Sequence, residues 1–278
     1  VFGSSSATPP ELEELDCQSE DWAFLEQLLL RRSQNYFQHY QKEMKMKKLW
    51  RIRQSELFCQ YAQQAAERFG SPTQLFHGTT VSVAESIIRE GFRLPQHAGM
   101  FGKGIYFAKC PLKSNMYARR PEGRFWQLRR SVTRSLGLHS SPLSGDNQVM
   151  LLCDVYLGRT KKARCANTSL NSAADIERCC LLRPCCPPGR YDSVYAPGPP
   201  HWCVKGACAD CCICCRAFCF AVRVSEFTVY DPCQGVPRFI IEFEAEQFVA
   251  RPIPAPRTPA TPGTPVSQPS QQTMGAAV

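Results

Sequence analysis

The 278-residue chain lacks any run of about 18 apolar residues, so a membrane-spanning helix is not expected. Its N-terminus, VFGSSSATPPELEELD, is polar and acidic and lacks the apolar segment of a secretory signal. It also lacks a starting Met, so we expect a fragment of a longer protein, with any targeting information elsewhere. Acidic residues are the scarcer charge: 24 Asp and Glu against 33 Lys and Arg give a formal net charge of +9. Basic residues cluster at Arg31, Arg32, Lys42, Lys45, Lys47, Lys48, Arg51 and Arg53. Such a cluster can serve a nucleic acid. We read it as the solvated face of a helix and a strand, with nucleic acid only a weakly supported partner.

Cysteine is the residue type in excess. Of 17 cysteines, eleven crowd between Cys179 and Cys219. A disulfide scaffold would spread them more evenly through a smaller secreted chain. With no signal segment, an intracellular, reducing compartment, nuclear or cytoplasmic, is expected. The hydrophobic content of 44% is ordinary for a globular protein and sufficient for a sizeable core.

Residues 1 to 18 read as a disordered lead-in. Trp22, Phe24, Leu25, Leu28 and Leu29 follow helical spacing, with acidic residues before them and Arg31-Arg32 after, a polarity that suits the helix dipole. Tyr36, Phe37 and Tyr40 are placed on the same face. KMKKLWRIR (45 to 53) alternates as a half-exposed strand. Ser55 is positioned to cap a second helix, ended by Gly70-Ser71-Pro72. Leu75-Phe76 is a short strand leading into His77. Thr79 or Thr80 caps the next helix, with Ala84, Ile87 and Ile88 on one face and Gly91 as its left-handed terminator. Residues 94 to 104 are loop, Ile105-Tyr106-Phe107 a buried strand, and Pro111 to Tyr117 the start of a helix. An Arg- and Ser-rich surface insertion is expected at 119–148. VMLLCDVYL (149 to 157) is apolar on both faces and is predicted as a central strand. Late strands are predicted at 227–230 and 238–243, with a turn at 232–237. Residues 251–278 hold seven prolines and read as a disordered tail. The expected fold is α+β: a mixed, mainly antiparallel split sheet with flanking helices, not a doubly wound parallel sheet. The catalytic unit is assigned to residues 19–250.

The chemistry-bearing residues lie around LFHGTT (75 to 80), FGKGIYFA (101 to 108), KSNMY (113 to 117) and SEFTVYD (225 to 231). No Rossmann glycine loop is present. A nicotinamide carboxamide needs one donor and one acceptor, and a single glycine backbone supplies both without a Cβ in the way. Gly78, at a strand end, is placed for this. Ser114 can add a hydroxyl, Tyr117 one helical turn on can stack the ring, and His77 and Thr79 can bond ribose hydroxyls.

Together, His-Gly-Thr, GKGIYFA, Lys-Ser before Tyr, and a late Glu before an aromatic strand resemble the catalytic core of the PARP-type ADP-ribosyltransferases. The resemblance runs from about residue 22 to 249. It implies NAD as substrate, transfer of ADP-ribose to acceptor proteins including the enzyme itself, and no membrane partner. It also implies a His77-Tyr106-Glu226 triad. His77 would bond the adenosine-side ribose, and Tyr106 and Tyr117 would flank the nicotinamide. Gly78 and Ser114 would hold the carboxamide, and Glu226 would bond the nicotinamide-ribose 2′-hydroxyl. Arg93 would lie near the adenine end. Lys103 and Lys113 sit inside the motifs without an assigned role. Cleavage of the nicotinamide bond builds oxocarbenium character on the ribose, which a carboxylate stabilises. Polymer-forming members of the family carry this glutamate and many mono-transferring members lack it, so single and chain addition both stay open.

Two departures from the family stand out. The loop LPQHAGMF before Gly102 is short, and nothing resembles an autoinhibitory helical domain. Cys208-x-x-Cys211 and Cys211-x-x-Cys214 have zinc-like spacing with His201 near, but separated pairs around a defined loop are missing. We therefore read a mistranslated or poorly ordered insertion, with zinc the lesser alternative. Two further functions remain as alternatives: a module that holds NAD or ADP-ribose without turnover, and a basic nucleic-acid binder.

Overall fold

The computed structural model describes residues 12–36, 40–118, 143, 148–163, 166–172, 190–197 and 225–247. Every cysteine of the 179–219 zone, the 251–278 tail and most of the 119–148 insertion lie outside these residues.

The strands are β1 (Leu12–Leu15), β2 (Lys42–Ile52), β3 (Thr73–Thr79), β4 (Ile105–Ala108), β5 (Gln148–Val155), β6 (Thr160–Lys162), β7 (Ser193–Ala196), β8 (Glu226–Val229) and β9 (Gly235–Gln247). The helices are α1 (Glu20–Ser33), α2 (Glu56–Phe69), α3 (Val81–Glu90) and the short α4 (Pro111–Asn115). Among the described residues the strands form one sheet in the order β1-β2-β9-β5-β3-β4-β8-β7-β6, antiparallel except for the β6–β7 pair. The fold is α+β, as expected.

The predicted central strand is central. Along β5, Val149, Leu151, Cys153 and Val155 enter one hydrophobic cluster while Met150 and Leu152 enter another. The period-two alternation therefore buries both faces of the strand. Helix α3 covers the first face with Val81, Ala84, Ile87 and Ile88. Helix α1 covers the second with Leu25, Leu28 and Leu29, each worth about 2 kcal/mol of burial. The helices begin where their caps predict. Ser19 Oγ accepts from Trp22 N at 3.3 Å, Ser55 Oγ from Phe58 N at 3.4 Å, and Thr80 Oγ1 from Val83 N at 3.4 Å.

Four expectations are corrected. Residues Leu12–Leu15 are not a disordered lead-in but an edge strand, because their register sets Glu13 against Arg51 and Glu14 near Lys48, and both pairs are ion-paired. Tyr36 and Tyr40 do not prolong the apolar face of α1. The helix tightens into a 3₁₀ turn at Gln34–Tyr36, and both tyrosines pack against Cys110 and Leu112 instead. Gly91 has φ 81° but ψ 178°, so it is not left-handed helical; it occupies an extended mirror region open in practice only to glycine. Leu143, inside the predicted surface insertion, is fully buried in the α3-side core.

Three members of the basic cluster are paired with carboxylates within the fold. Lys47 pairs with Glu244, Lys48 with Glu14, and Arg51 with Glu13 and Asp21, which is the solvated-face arrangement.

The sheet is split. Strands β3 and β4 share a single residue pair, Phe76 opposite Ala108, while the flanking β3–β5 and β4–β8 ladders run for seven and four pairs. Behind the split, buried Gln234 ties the halves together. Its Nε2 donates to Tyr156 O at 2.8 Å and Asp192 O at 3.3 Å, and its Oε1 accepts from Tyr230 N at 3.3 Å and Asp231 N at 3.1 Å. Gln234→Leu removes the partner of four backbone groups, two of them in buried bonds, and is expected to lower stability by about 2 kcal/mol, measured as a shift of the urea midpoint at unchanged slope.

Candidate active site

Once β3 and β4 part beyond Phe76, the next residue, His77, crosses the gap. Its Nδ1 lies 2.9 Å from the Tyr106 carbonyl oxygen and, facing an acceptor, carries the proton. Nε2 is then the ring's acceptor. The imidazole is seated edge-on to Phe92 at 5.1 Å and tilted to Phe107 at 5.5 Å between ring centres. Burial pushes its pKa below the usual histidine value, only partly opposed by the bond to Tyr106 O. The ring is therefore neutral near pH 7 and suited to accept a hydroxyl proton at Nε2.

This shift has a consequence for stability. A histidine whose folded pKa lies below its unfolded value binds fewer protons when folded. Its contribution is full above the unfolded value of about 6.5 and is lost as the pH falls toward the folded value. His77→Gln is expected to flatten the decline in stability below about pH 6.5, checked by denaturant midpoints from neutral to mildly acidic pH.

Gly78 is required by packing. A Cβ there would lie 1.8 Å from Ser114 O, so the backbone of α4 rests directly on β3. Ser114 is buried, and its carbonyl accepts from Tyr117 N at 3.0 Å. Gln148 Nε2 donates to Asn115 Oδ1 at 2.9 Å and also to Ala118 O, so the turn carrying Tyr117 is tied back to β5. The Tyr117 ring itself is half exposed, with Lys113 Nζ 5.6 Å from its centre. It is free to stack on a ligand.

Tyr106 is pinned by its hydroxyl, which accepts from Phe101 N at 2.7 Å and donates to Gly102 O at 3.0 Å. Burial raises its pKa, with the Glu226 charge adding to the push, so it stays protonated. In the β4–β8 register Tyr106 faces Thr228 and Ala108 faces Glu226. Tyr106 and Glu226 are thus diagonal neighbours on one face of the ribbon, a separation of about 7–8 Å between backbone positions. Glu226 is buried, and its Oε1 lies 2.9 Å from Lys113 Nζ, itself buried. Tyr40 is also close enough for the Glu226 charge to raise its pKa, behind larger effects from burial and Cys110.

The predicted residues are linked in pairs: His77 bonds Tyr106 O, Ser114 backs onto Gly78, Lys113 pairs with Glu226 and lies near Tyr117, and Tyr106 and Glu226 share a face of the β4–β8 ribbon. Thr79 is a buried β3 residue opposite Val149. Arg93 stands apart, solvent-exposed and paired with Glu90 at the end of α3. The ion pair between Lys113 and Glu226 carried no sequence signal, because the partners are more than a hundred residues apart. The seating of His77 by Phe92 could have been suspected only from an apolar residue in the Glu-Gly-Phe-Arg turn. Among the described residues no group of three metal-binding side chains occurs, and the five described cysteines are free thiols. No described helix is long and apolar enough to cross a membrane.

One mixed, mainly antiparallel sheet with a few flanking helices is the α+β architecture of the ADP-ribosyltransferase fold. The family described as the poly(ADP-ribose) polymerase catalytic domain matches residues 19–178, over half of the chain, and the chain belongs to that family. The match contains His77, Tyr106 and the Lys113–Tyr117 turn, and ends before Glu226. The human protein mono-ADP-ribosyltransferase PARP3 is 29% identical over 151 residues, covering 54% of this chain and 22% of the relative. The mouse protein of the same name is 30% identical over 138 residues, covering 49% and 19%. The chain thus spans about a fifth of the length of the curated relatives it matches.

Proposed function

We propose that this chain transfers ADP-ribose from NAD to protein side chains, its own included, with release of nicotinamide. The observation that carries the reading is the convergence of neutral His77, protonated Tyr106 and the buried Glu226 carboxylate at one split in the sheet. His77 Nε2 accepts from a hydroxyl of the adenosine-side ribose, with Thr79 beside it. Gly78 and Ser114 hold the carboxamide, and Tyr106 and Tyr117 flank the nicotinamide. Arg93, free of the cleft wall, is available at the adenine end. Glu226 bonds the nicotinamide-ribose 2′-hydroxyl and faces the positive charge that develops as the glycosidic bond lengthens. It also orients an acceptor hydroxyl. Lys113 holds the carboxylate in place.

The cysteine usage supports a reducing intracellular setting, nuclear or cytoplasmic. The cysteines with zinc-like spacing lie outside the described residues, and the reading needs no metal.

Incubation with NAD labelled in its adenylate half, followed by a denaturing gel, tests the proposal. Covalent label on the chain is expected, and the ladder of product sizes separates single from chain addition. The rival reading, a module that holds NAD without turnover, draws on the Lys113–Glu226 pair, which neutralises the carboxylate in the resting state. It predicts label that binds the native protein and is lost on denaturation.

A further inference from the structure

Tyr230, directly after β8, is not among the residues assigned above to NAD. Its hydroxyl is nonetheless directed at the loop that holds Tyr106. Tyr230 Oη donates to Phe101 O at 2.8 Å, and Phe101 N donates to Tyr106 Oη at 2.7 Å. One residue thus joins two phenols. Phe101 is fully buried and Tyr230 nearly so, which shields the Tyr230–Phe101 bond from solvent, while the Phe101–Tyr106 bond is partly buried. The loop is closed on itself by Gly99 N to Gly102 O at 2.9 Å and Gly102 N to Gly99 O at 3.1 Å. It is docked through Asn167 N to Met100 O and Lys103 N to Leu170 O, both at 2.9 Å. It fits closely against the phenol: a Cβ on Gly99 would lie 2.6 Å from Tyr106 Oη. Tyr230 is itself fixed through its backbone N–H by Gln234.

We propose that Tyr230 is a positioning residue for NAD binding, holding Phe101 so that the Tyr106 ring keeps its place on the nicotinamide side of the cleft. The proposal rests on the NAD-site reading above. A ring held out of place weakens ground-state and transition-state contacts alike, which raises KM and leaves kcat nearly unchanged.

Tyr230→Phe, Tyr106→Phe and the double variant, each in the full chain, test it. In Tyr230→Phe the Phe101 amide is expected to exchange with solvent about tenfold faster, the scale of one lost buried hydrogen bond. KM for NAD is expected to rise about five- to tenfold with kcat within about twofold. In the Tyr106→Phe background the second change should add less than about twofold. Unchanged Phe101 exchange, unchanged KM, or fully additive effects overturn the proposal. If the wild type shows no action on NAD, the functional reading falls alone, and amide exchange still decides whether Tyr230 holds Tyr106. Should Tyr230→Phe fail to fold, ring-fluorinated tyrosine at position 230 replaces it. Its fluorine resonance should move on Tyr106→Phe, and a fixed resonance overturns the proposal.

Discussion

Replacing Glu226 by Gln should lower ADP-ribose transfer by on the order of 10²–10³-fold while leaving NAD affinity within a few-fold. In the proposed reaction the carboxylate acts on charge that exists only as the nicotinamide bond breaks, so its removal should fall on kcat and not on binding. The structure adds a second consequence. Glu226 is ion-paired with buried Lys113 at 2.9 Å. Removing one partner of such a pair typically costs about 3–5 kcal/mol, because the other charge stays buried without compensation. The amide oxygen of Gln still accepts from Lys113, so the lower end of that range is expected. Thermal midpoints must therefore accompany the kinetics. The double variant Glu226→Gln, Lys113→Met separates the two effects: stability should recover and transfer should not. Recovery of transfer in that double variant removes Glu226 from the reaction.

The second large effect is expected at Gly78. In Gly78→Ala the new Cβ meets Ser114 O at 1.8 Å and Ser114 C at 2.6 Å. These are backbone atoms, so no rotamer change relieves the contact, and α4 must lift from β3. Overpacking of this kind costs about 1–3 kcal/mol and sometimes more; we expect about 3 kcal/mol here. At about 2–4 °C per kcal/mol for a domain of this size, the thermal midpoint should fall by about 10 °C. Because α4 carries Ser114 and leads to Tyr117, NAD binding should be lost together with stability, read by calorimetry and by direct NAD titration. Gly70→Ala is the control. Gly70 has the glycine-favouring φ of 81° that Gly78 lacks, and nothing lies within 4 Å of its Cβ position. It should cost about 1 kcal/mol and leave NAD binding intact. A loss at Gly78 no larger than that at Gly70 would mean that the approach of α4 does not make Gly78 necessary.

Residue periodicity and local chemistry determined a good part of this protein. The caps Ser55 and Thr80 lie within three residues of the amides they satisfy, so their helices were legible from a few residues each. The two-faced apolar run at 149–155 could bury itself only at the centre of a sheet. The His-Gly-Thr and GKGIYFA segments carried the family resemblance by themselves. The edge strand at Leu12–Leu15 escaped notice because four residues with two glutamates have no strand period of their own. Its pairing depends on Lys48 and Arg51, more than thirty residues away.

What only the tertiary structure decided were relations between distant segments. The single Phe76–Ala108 pair opens the sheet where His77 stands, and chain-wide strand order sets that position. Lys113 meets Glu226 because β8 pairs with β4 while α4 follows it. Tyr230 reaches Tyr106 through one intervening residue, Phe101. Local sequence encodes capping, alternation and turn chemistry because those interactions close within a few residues. The electrostatic and hydrogen-bonded couplings of the cleft close across loops of tens to more than a hundred residues, so only the folded chain places their partners together.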